Sequence, residues 1–336
     1  MNCAGISAAT LPPVHNELVR FLATCLPGIA PVLIEEIGAG WRAGFDGRNE
    51  VVGFDARGID VAMPKTAEDV FVEVARARGE GVDQLVDQLV DGPSLERALS
   101  VYASVRGRLK PRMSYRVVAR VLSEERFLRT TFRDRVTQAV GATRPRWDVR
   151  DPAEVELWAL EIARDDFVLA LRLTTGGHRH RGGRAREREG ALRPSVAAAM
   201  LQLAAGPAVL VDVCCGSGTI LREATGTAIG GDIDAGAVGI AKENTRGAIA
   251  RWDARSLPLP DDSADAVVSN LPFGHRFHVD DAWYRAAMQE AARVTKPGGA
   301  IVVLAPRLPD VDLGPERTLD IELLGMRTTI WRFRVL

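Results

Sequence analysis

Apolar positions along the chain fall into short blocks whose period changes from block to block. Residues 21–25 (FLATC), 51–54 and 69–75 are strand-like runs, whereas residues 27–37 place Ile29, Leu33 and Ile37 on one helical face. Helical spacing returns at 81–89, and the flank GPSLERALS predicts another helix with Ser94 at its N-cap. Residues 114–121 (SYRVVARV) predict a strand, 126–140 a helix, and 155–163 and 167–173 two more strands. Together these predict a compact α+β unit. The polar stretch TTGGHRHRGGRARERE, residues 174–189, cannot bury a core and predicts a connector.

Beyond the connector the alternation becomes regular. A helix at 195–205 leads to a buried-strand run at 208–214 and a turn, Gly216-Ser217-Gly218. The pattern then predicts a helix at 219–224, a strand at 228–232, a helix at 235–244 and strands at 248–252 and 264–269. A helix at 281–294 and a strand at 300–305 follow. Serial strand–helix units predict an α/β, doubly wound, mostly parallel sheet. Residues 318–324 and 328–336, joined by Gly325-Met326-Arg327, predict an antiparallel hairpin at its edge. The organisation expected is a disordered leader at 1–17, an α+β region at 18–173, a basic linker at 174–191 and an α/β domain at 192–336.

Composition narrows the classes. With 336 residues, 46% of them hydrophobic and 26% charged, the chain can bury a large core, and no apolar run is long enough to span a bilayer. The start, MNCAGISAATLPPVHNE, lacks the charge and hydrophobic pattern of a secretory signal, so a cytoplasmic location is expected. Cys3, Cys25, Cys214 and Cys215 have no zinc-type spacing, and His178 and His180 lack an evident third ligand, so no metal is expected. A monomer is expected. The net charge of −1 conceals an asymmetry: residues 101–193 hold 21 Lys and Arg against 12 Asp and Glu. Such a block of positive charge suits a nucleic-acid partner.

The turn after the first strand of the α/β domain carries the first chemistry. Asp212-Val213-Cys214-Cys215-Gly216-Ser217-Gly218 is followed by Asp232 at the end of the next strand. In open parallel sheets ligands bind beyond the carboxyl ends of the strands, and glycines there allow a ligand to approach the backbone. A dinucleotide fingerprint needs a small residue three positions after Gly218, where this chain has Leu221. An acid able to accept from both ribose hydroxyls, beside a two-glycine bend, fits a nucleoside with a charged, phosphate-free tail: S-adenosylmethionine. Asp253, ending the third strand, is placed to accept from an adenine amino group. Cys214, Ser217, Ile233 and Ala254 complete the candidate cofactor contacts with Asp212, Gly216, Gly218, Asp232, Asp253 and Asn270.

The fourth strand ends in Asn270-Leu271-Pro272-Phe273-Gly274. An Asn followed by a rigid proline and an aromatic ring presents an amide oxygen and a main-chain carbonyl. Methyl transfer to an exocyclic amine raises positive charge on nitrogen and the acidity of its N–H bonds. The Asn270 side-chain oxygen and the Leu271 carbonyl would orient that NH2 and stabilise the charge, while Phe273 would stack on an extruded base. Asn270, Leu271, Pro272 and Phe273 are therefore the candidate catalytic residues.

The runs DVCCGSGTIL, GGDID and NLPFG resemble the guanine-N2 RNA methyltransferases that carry an N-terminal THUMP domain and methylate tRNA in its acceptor stem. FLATCLPGIAPVLIEEI, SYRVVARV and PRWDVRDPAEVELWALEIARDDFVLALRL resemble the N-terminal part of that family. The resemblance implies a Rossmann-like class I methyltransferase with a seven-stranded sheet, preceded by a ferredoxin-like and THUMP RNA-binding region. It implies S-adenosylmethionine as donor, tRNA as partner, and the target amine at Asn270–Phe273. Two positions depart from the family: Val213 stands where a proline is frequent, and HRHRGGR replaces the usual Arg-Gly-Tyr-Arg of the linker. Arg116, Arg120, Arg129, Arg133, Arg179, Arg181 and Arg184 are the candidate RNA contacts, since Arg can pair with phosphate and stack on bases. Adenine-N6 or ribosomal-RNA methylation, and an RNA-binding module without catalysis, remain alternatives. A cytosine-C5 enzyme is disfavoured because no cysteine follows Asn270.

Overall fold

The computed structural model describes residues 17–57, 63–180, 191–273, 279–311, 313–323 and 325–336. The leader expected at 1–17 lies outside these residues except for Glu17, as do residues 181–190 of the linker. The chain begins with β1 (Leu18–Cys25), α1 (Ala30–Ile37), β2 (Trp41–Phe45), β3 (Glu50–Arg57), β4 (Asp69–Arg78), α2 (Val82–Leu89) and α3 (Gly92–Arg106). It continues through β5 (Ser114–Arg120), α4 (Arg129–Thr143), β6 (Asp148–Val149), β7 (Val155–Ala163), β8 (Asp166–Arg172) and α5 (Gly176–His180). The remainder is α6 (Pro194–Leu203), β9 (Val209–Asp212), α7 (Thr219–Glu223), β10 (Thr227–Asp232), α8 (Ala235–Asn244) and β11 (Ala248–Arg251). It closes with β12 (Ala264–Asn270), α9 (Asp281–Val294), β13 (Thr295–Ala305), β14 (Pro315–Leu323) and β15 (Met326–Arg334).

Two compact units share these elements. The first holds the described residues of 17–24, 39–63 and 69–175. Its eight-stranded sheet runs β2-β3-β1-β4-β8-β7-β5-β6, with β2–β3, β1–β4, β4–β8 and β7–β8 antiparallel and β5 parallel to both β7 and β6. The central strands β7 and β8 are buried almost throughout, whereas β5 alternates as a half-covered strand does. One face closes over Leu22, Val51, Phe71, Trp158, Leu160, Ile162 and Val168. Phe127, Phe132 and Phe167 cluster with ring centroids 5.4–5.8 Å apart. Helix α3 is capped by Asp91, whose carboxylate accepts from Ser94 N at 2.9 Å, so Ser94 lies inside the helix and is not its cap.

The second unit holds residues 25–38, 64–68 and the described part of 176–336. Helix α1 thus groups with the C-terminal residues, although it follows a strand of the other sheet. Glu36 accepts from Lys65 N, Thr66 N and Thr66 Oγ at 2.6–3.0 Å, which ties residues 64–66 to that helix. Gln202 Nε2 on α6 donates to Val32 O at 3.0 Å, and Arg317 pairs bidentately with Glu35 at 2.8 and 3.0 Å. The sheet order is β11-β10-β9-β12-β13-β15-β14, parallel up to β13 and antiparallel at β15 and β14. This is the expected seven-stranded sheet with an edge hairpin. Its core packs Val211, Val213, Val267, Ile301 and Val303 against Tyr284, Ala287, Met288 and Ala291 of α9. Strand order reverses between β9 and β12, so the crevice of an open α/β sheet lies beyond their carboxyl ends.

Candidate active site

Strands β9 and β12 pair directly, in parallel, with Leu210 opposite Ala266 and Val211 opposite Val267. Their ends, Asp212 and Asn270, therefore emerge at the same edge of the sheet. The link continues into the loops: Ser269 Oγ donates to Asp212 Oδ1 at 2.7 Å, and Cys214 N lies 3.1 Å from Ser269 Oγ and 3.2 Å from Asp212 Oδ1. The glycine bend and the asparagine–proline bend are thus pinned side by side.

The bend itself needs glycine twice. Gly216 has φ +52° and Gly218 φ +83°, a region L side chains rarely adopt. A Cβ on Gly218 would come within 2.5 Å of Thr245 Cγ2, whereas one on Gly216 would meet nothing within 4 Å. Gly216 therefore faces space that a ligand can enter. Asp232 closes the bend from β10: its Oδ2 accepts from Gly216 N at 2.9 Å and its Oδ1 from Asp234 N at 3.0 Å. Asn244 Nδ2 donates to Ser217 O at 3.0 Å. Leu221, which argued against a dinucleotide, packs over Gly230 of β10, where an added Cβ would lie 2.4 Å from its Cδ1.

Beside Asp232, Ile233 is 60% exposed, a large apolar side chain left at the crevice lip. Asp253 has a partner that its spacing did not reveal. Arg255 donates from its backbone N and Nε to Oδ1 at 2.9 and 3.0 Å and from Nη2 to Oδ2 at 2.7 Å, and this bonding holds the Asp253 carboxyl below its ordinary value. Ala254 is buried in the core.

At the second bend the Asn270 Oδ1 atom is buried and accepts no hydrogen bond from any described residue. A buried acceptor without a donor costs about 1–3 kcal/mol, so an incoming N–H has something to gain there. The Leu271 side chain is in the core, and its N donates to Leu304 O at 3.1 Å. Tyr284 Oη donates to Pro272 O at 2.8 Å, which fixes the proline turn from α9. Phe273 is half-buried. Ser269, Asn244, Arg255 and Tyr284 were not singled out in the sequence. Only Ser269, preceding Asn270 on a strand, carried any signal.

Asp212 is fully buried, and burial pushes its carboxyl up to about 7 against the pull of the Ser269 hydroxyl and Cys214 amide, with the charge of Asp232 pushing further. Burial also raises the Cys214 and Cys215 thiols, so neither is a ready nucleophile.

The arginines expected to meet RNA divide sharply. Arg116 pairs with Asp151 and Glu156 at 2.7 and 3.1 Å, and Arg120 is bonded to the buried Asp46 and lies 4.7 Å over the Trp158 ring. Arg129 and Arg133 are exposed, with Glu124 and Asp134 as neighbours. Arg179 is on α5, and Arg181 and Arg184 lie outside the described residues. Among the described residues no group of His, Cys, Asp or Glu could hold a metal, and no helix is long and apolar enough to cross a membrane.

Residues 211–303 match the methyltransferase-domain family. The fold and this match define the C-terminal unit as a class I methyltransferase domain, with S-adenosylmethionine as its cofactor. Within that class the chain is similar to the U6 snRNA (guanine-N(2))-methyltransferase THUMPD2 of Bos taurus, 37% identical over 128 residues, which are 34% of this chain and 25% of that protein. The chain thus spans about a quarter of the length of such curated relatives. It is also 37% identical over 114 residues to demethylmenaquinone methyltransferase of Bacillus licheniformis, covering 31% of this chain and 47% of that protein. TrmN from Thermus thermophilus superposes over 95% of this chain and 100% of its own, with a TM-score of 0.73 at 22% identity. This whole-chain likeness bears out the two-part fold. The THUMPD2 match bears out the resemblance to THUMP-bearing guanine-N2 methyltransferases over the residues it covers.

Proposed function

We propose that the chain is an RNA methyltransferase that transfers a methyl group from S-adenosylmethionine to the exocyclic N2 of a guanosine, with tRNA as substrate. The observation carrying this reading is the buried, donor-free Asn270 Oδ1 on the strand hydrogen-bonded through Ser269 to the glycine bend. S-adenosylmethionine supplies an electrophilic methyl group on a positively charged sulfur. Asp232 holds the bend and has a carboxylate suited to ribose hydroxyls, while Ile233 offers an apolar surface for the adenine. Asn270 Oδ1 accepts an N–H of the target amine, orienting its nitrogen and stabilising the positive charge that grows as the new bond forms. Tyr284 keeps the Pro272 turn in place, and Phe273 offers a face for the target base.

The similarity to U6 snRNA methyltransferases supports a second substrate, a small nuclear RNA. A cytosolic location goes with the tRNA reading. Incubating the protein with labelled S-adenosylmethionine and, separately, total tRNA, ribosomal RNA and U6 snRNA, followed by nucleoside mass spectrometry, tests the proposal. N2-methylguanosine in tRNA supports it. N6-methyladenosine transfers the assignment to adenine, and absence of methylation in all three RNAs leaves the non-catalytic RNA-binding alternative.

A further inference from the structure

Within the first unit some arginines are paired with carboxylates of the described residues and others are not; of the second group Arg48, Arg57 and Arg97 lie apart, while Arg108, Arg112 and Arg146 flank the pairing of β5 with β6. The segment from the last residue of α3 to the start of β5 (106–113) meets the segment from the end of α4 through β6 (144–150) where β5 pairs with β6. Asp148 N donates to Met113 O at 3.0 Å, Ser114 sits opposite Asp148, and Arg150 N donates to Tyr115 O at 3.1 Å. Those two segments contain seven cations, Arg106, Arg108, Lys110, Arg112, Arg144, Arg146 and Arg150, against a single acid, Asp148. Lys110 and Arg144 are engaged by Glu154 and Glu96. Arg108, Arg112 and Arg146 are exposed and pair with no carboxylate among the described residues, and Arg150 reaches Asp148 only at 3.7 Å. Next to Arg146 in the chain, the Trp147 ring lies 6.1 Å from the Tyr115 ring and 5.6 Å from the Arg144 guanidinium. The two-residue strand β6 makes this the edge of the sheet.

Clustered cations at an exposed sheet edge repel one another, and a row of phosphates relieves that repulsion by releasing its counterions. We infer that this edge, through Arg108, Arg112, Arg146 and Arg150 with Trp147 beside them, is the surface on which the RNA backbone lies. The inference rests on the RNA reading above and relocates the contact. Arg116 and Arg120 are committed to acidic partners, and freeing them would take a cation from Glu156 and from the buried Asp46.

The test is binding of a 5′-fluorescein 20-nucleotide mixed-sequence RNA and of unfractionated tRNA, read by anisotropy between 50 and 200 mM salt, conditions under which about 0.7 units of log–log slope report each single-strand phosphate contact. R108A/R112A/R146A is expected to lower affinity at least about tenfold and to flatten the salt slope by about 2 units, while R108K/R112K/R146K retains the slope. Circular dichroism and S-adenosylmethionine affinity equal to wild type show that the variant is folded. Wild-type affinity and slope in the alanine variant, with RNA still methylated by the parent protein, overturns the surface and leaves the RNA reading standing. A parent protein that neither binds nor methylates RNA overturns both.

Discussion

Ser269 Oγ donates to Asp212 Oδ1 across 2.7 Å, joining the end of β12 to the end of β9 beneath both loops of the candidate site. Cys214 N lies within hydrogen-bond distance of the same two atoms, so one buried carboxylate organises the start of the glycine bend and the approach to Asn270 together. Displacing one loop by even about 1 Å would lengthen the methyl-transfer distance, to which such reactions are steeply sensitive.

Asp212 makes the stability of the domain depend on pH. Burial lifts its carboxyl from an ordinary 3.8 to about 7, so the folded chain keeps a proton that the unfolded chain has already lost. Its contribution is fully present below 3.8 and is lost as pH rises through about 7. Asp212→Asn removes this titration. The melting temperature of the variant relative to wild type is expected to climb between pH 5 and 7 and then level off; parallel melting curves across that range would contradict the assignment.

Asn270→Ala removes the acceptor at the proposed reaction centre without touching the cofactor bend. Turnover is expected to fall by about 100-fold or more, the loss seen when one preorganised stabilising group is deleted, with RNA affinity changed less than about twofold. Steady-state methyl incorporation alongside equilibrium RNA binding measures both. An equal loss in the two quantities would point to misfolding of the turn.

The two glycines of the bend should respond differently to alanine. At Gly218 the added Cβ collides with Thr245 at 2.5 Å on a backbone of φ +83°, so Gly218→Ala is expected to lower stability by more than about 2 kcal/mol. At Gly216 the Cβ enters empty space, so only backbone strain of about 1–2 kcal/mol applies, but S-adenosylmethionine affinity is expected to fall at least tenfold. Thermal melts and titration calorimetry separate stability from affinity; full cofactor affinity in Gly216→Ala would remove this side of the bend from the site.

A polypeptide of residues 192–336 lacks α1, whose Val32 and Leu33 are fully buried and whose Val32 carbonyl takes the Gln202 amide. It also leaves Ser195 and Arg193 without Glu68, which they meet at 2.5 and 3.0 Å. This shorter chain is expected to melt at least about 5 °C below the same unit in the full protein, and to bind a hydrophobic dye. Arg317→Ala, which removes only the exposed pair with Glu35, is expected to cost less than about 1 kcal/mol.

Where period and punctuation were strong, the fold was readable from the chain. Alternating strands and helices from 208 to 305, the two-glycine bend, the acid ending β10 and the asparagine ending β12 follow from local spacing, since strand ends and helix starts depend on neighbours a few residues away. Trp41–Phe45 escaped because its Arg and Gly break the apolar pattern, and Asp148–Val149 because two residues have no period to read. The cap of α3 was misplaced because Asp91, Gly92, Pro93 and Ser94 offer competing starts, and backbone geometry chose Asp91.

The amino-acid order determined the element types, the class of sheet and the identity of the residues at its two bends, because each rests on local propensity and hydrophobic period. Tertiary structure decided the pairings. Parallel contact of β9 with β12 set Ser269 beside Asp212, α1 joined the C-terminal unit after leaving a strand of the other sheet, and long-range ion pairs consumed Arg116 and Arg120 while leaving Arg108, Arg112 and Arg146 exposed. Those outcomes depend on which distant groups pack together, and a residue's own neighbours in the chain carry no record of them.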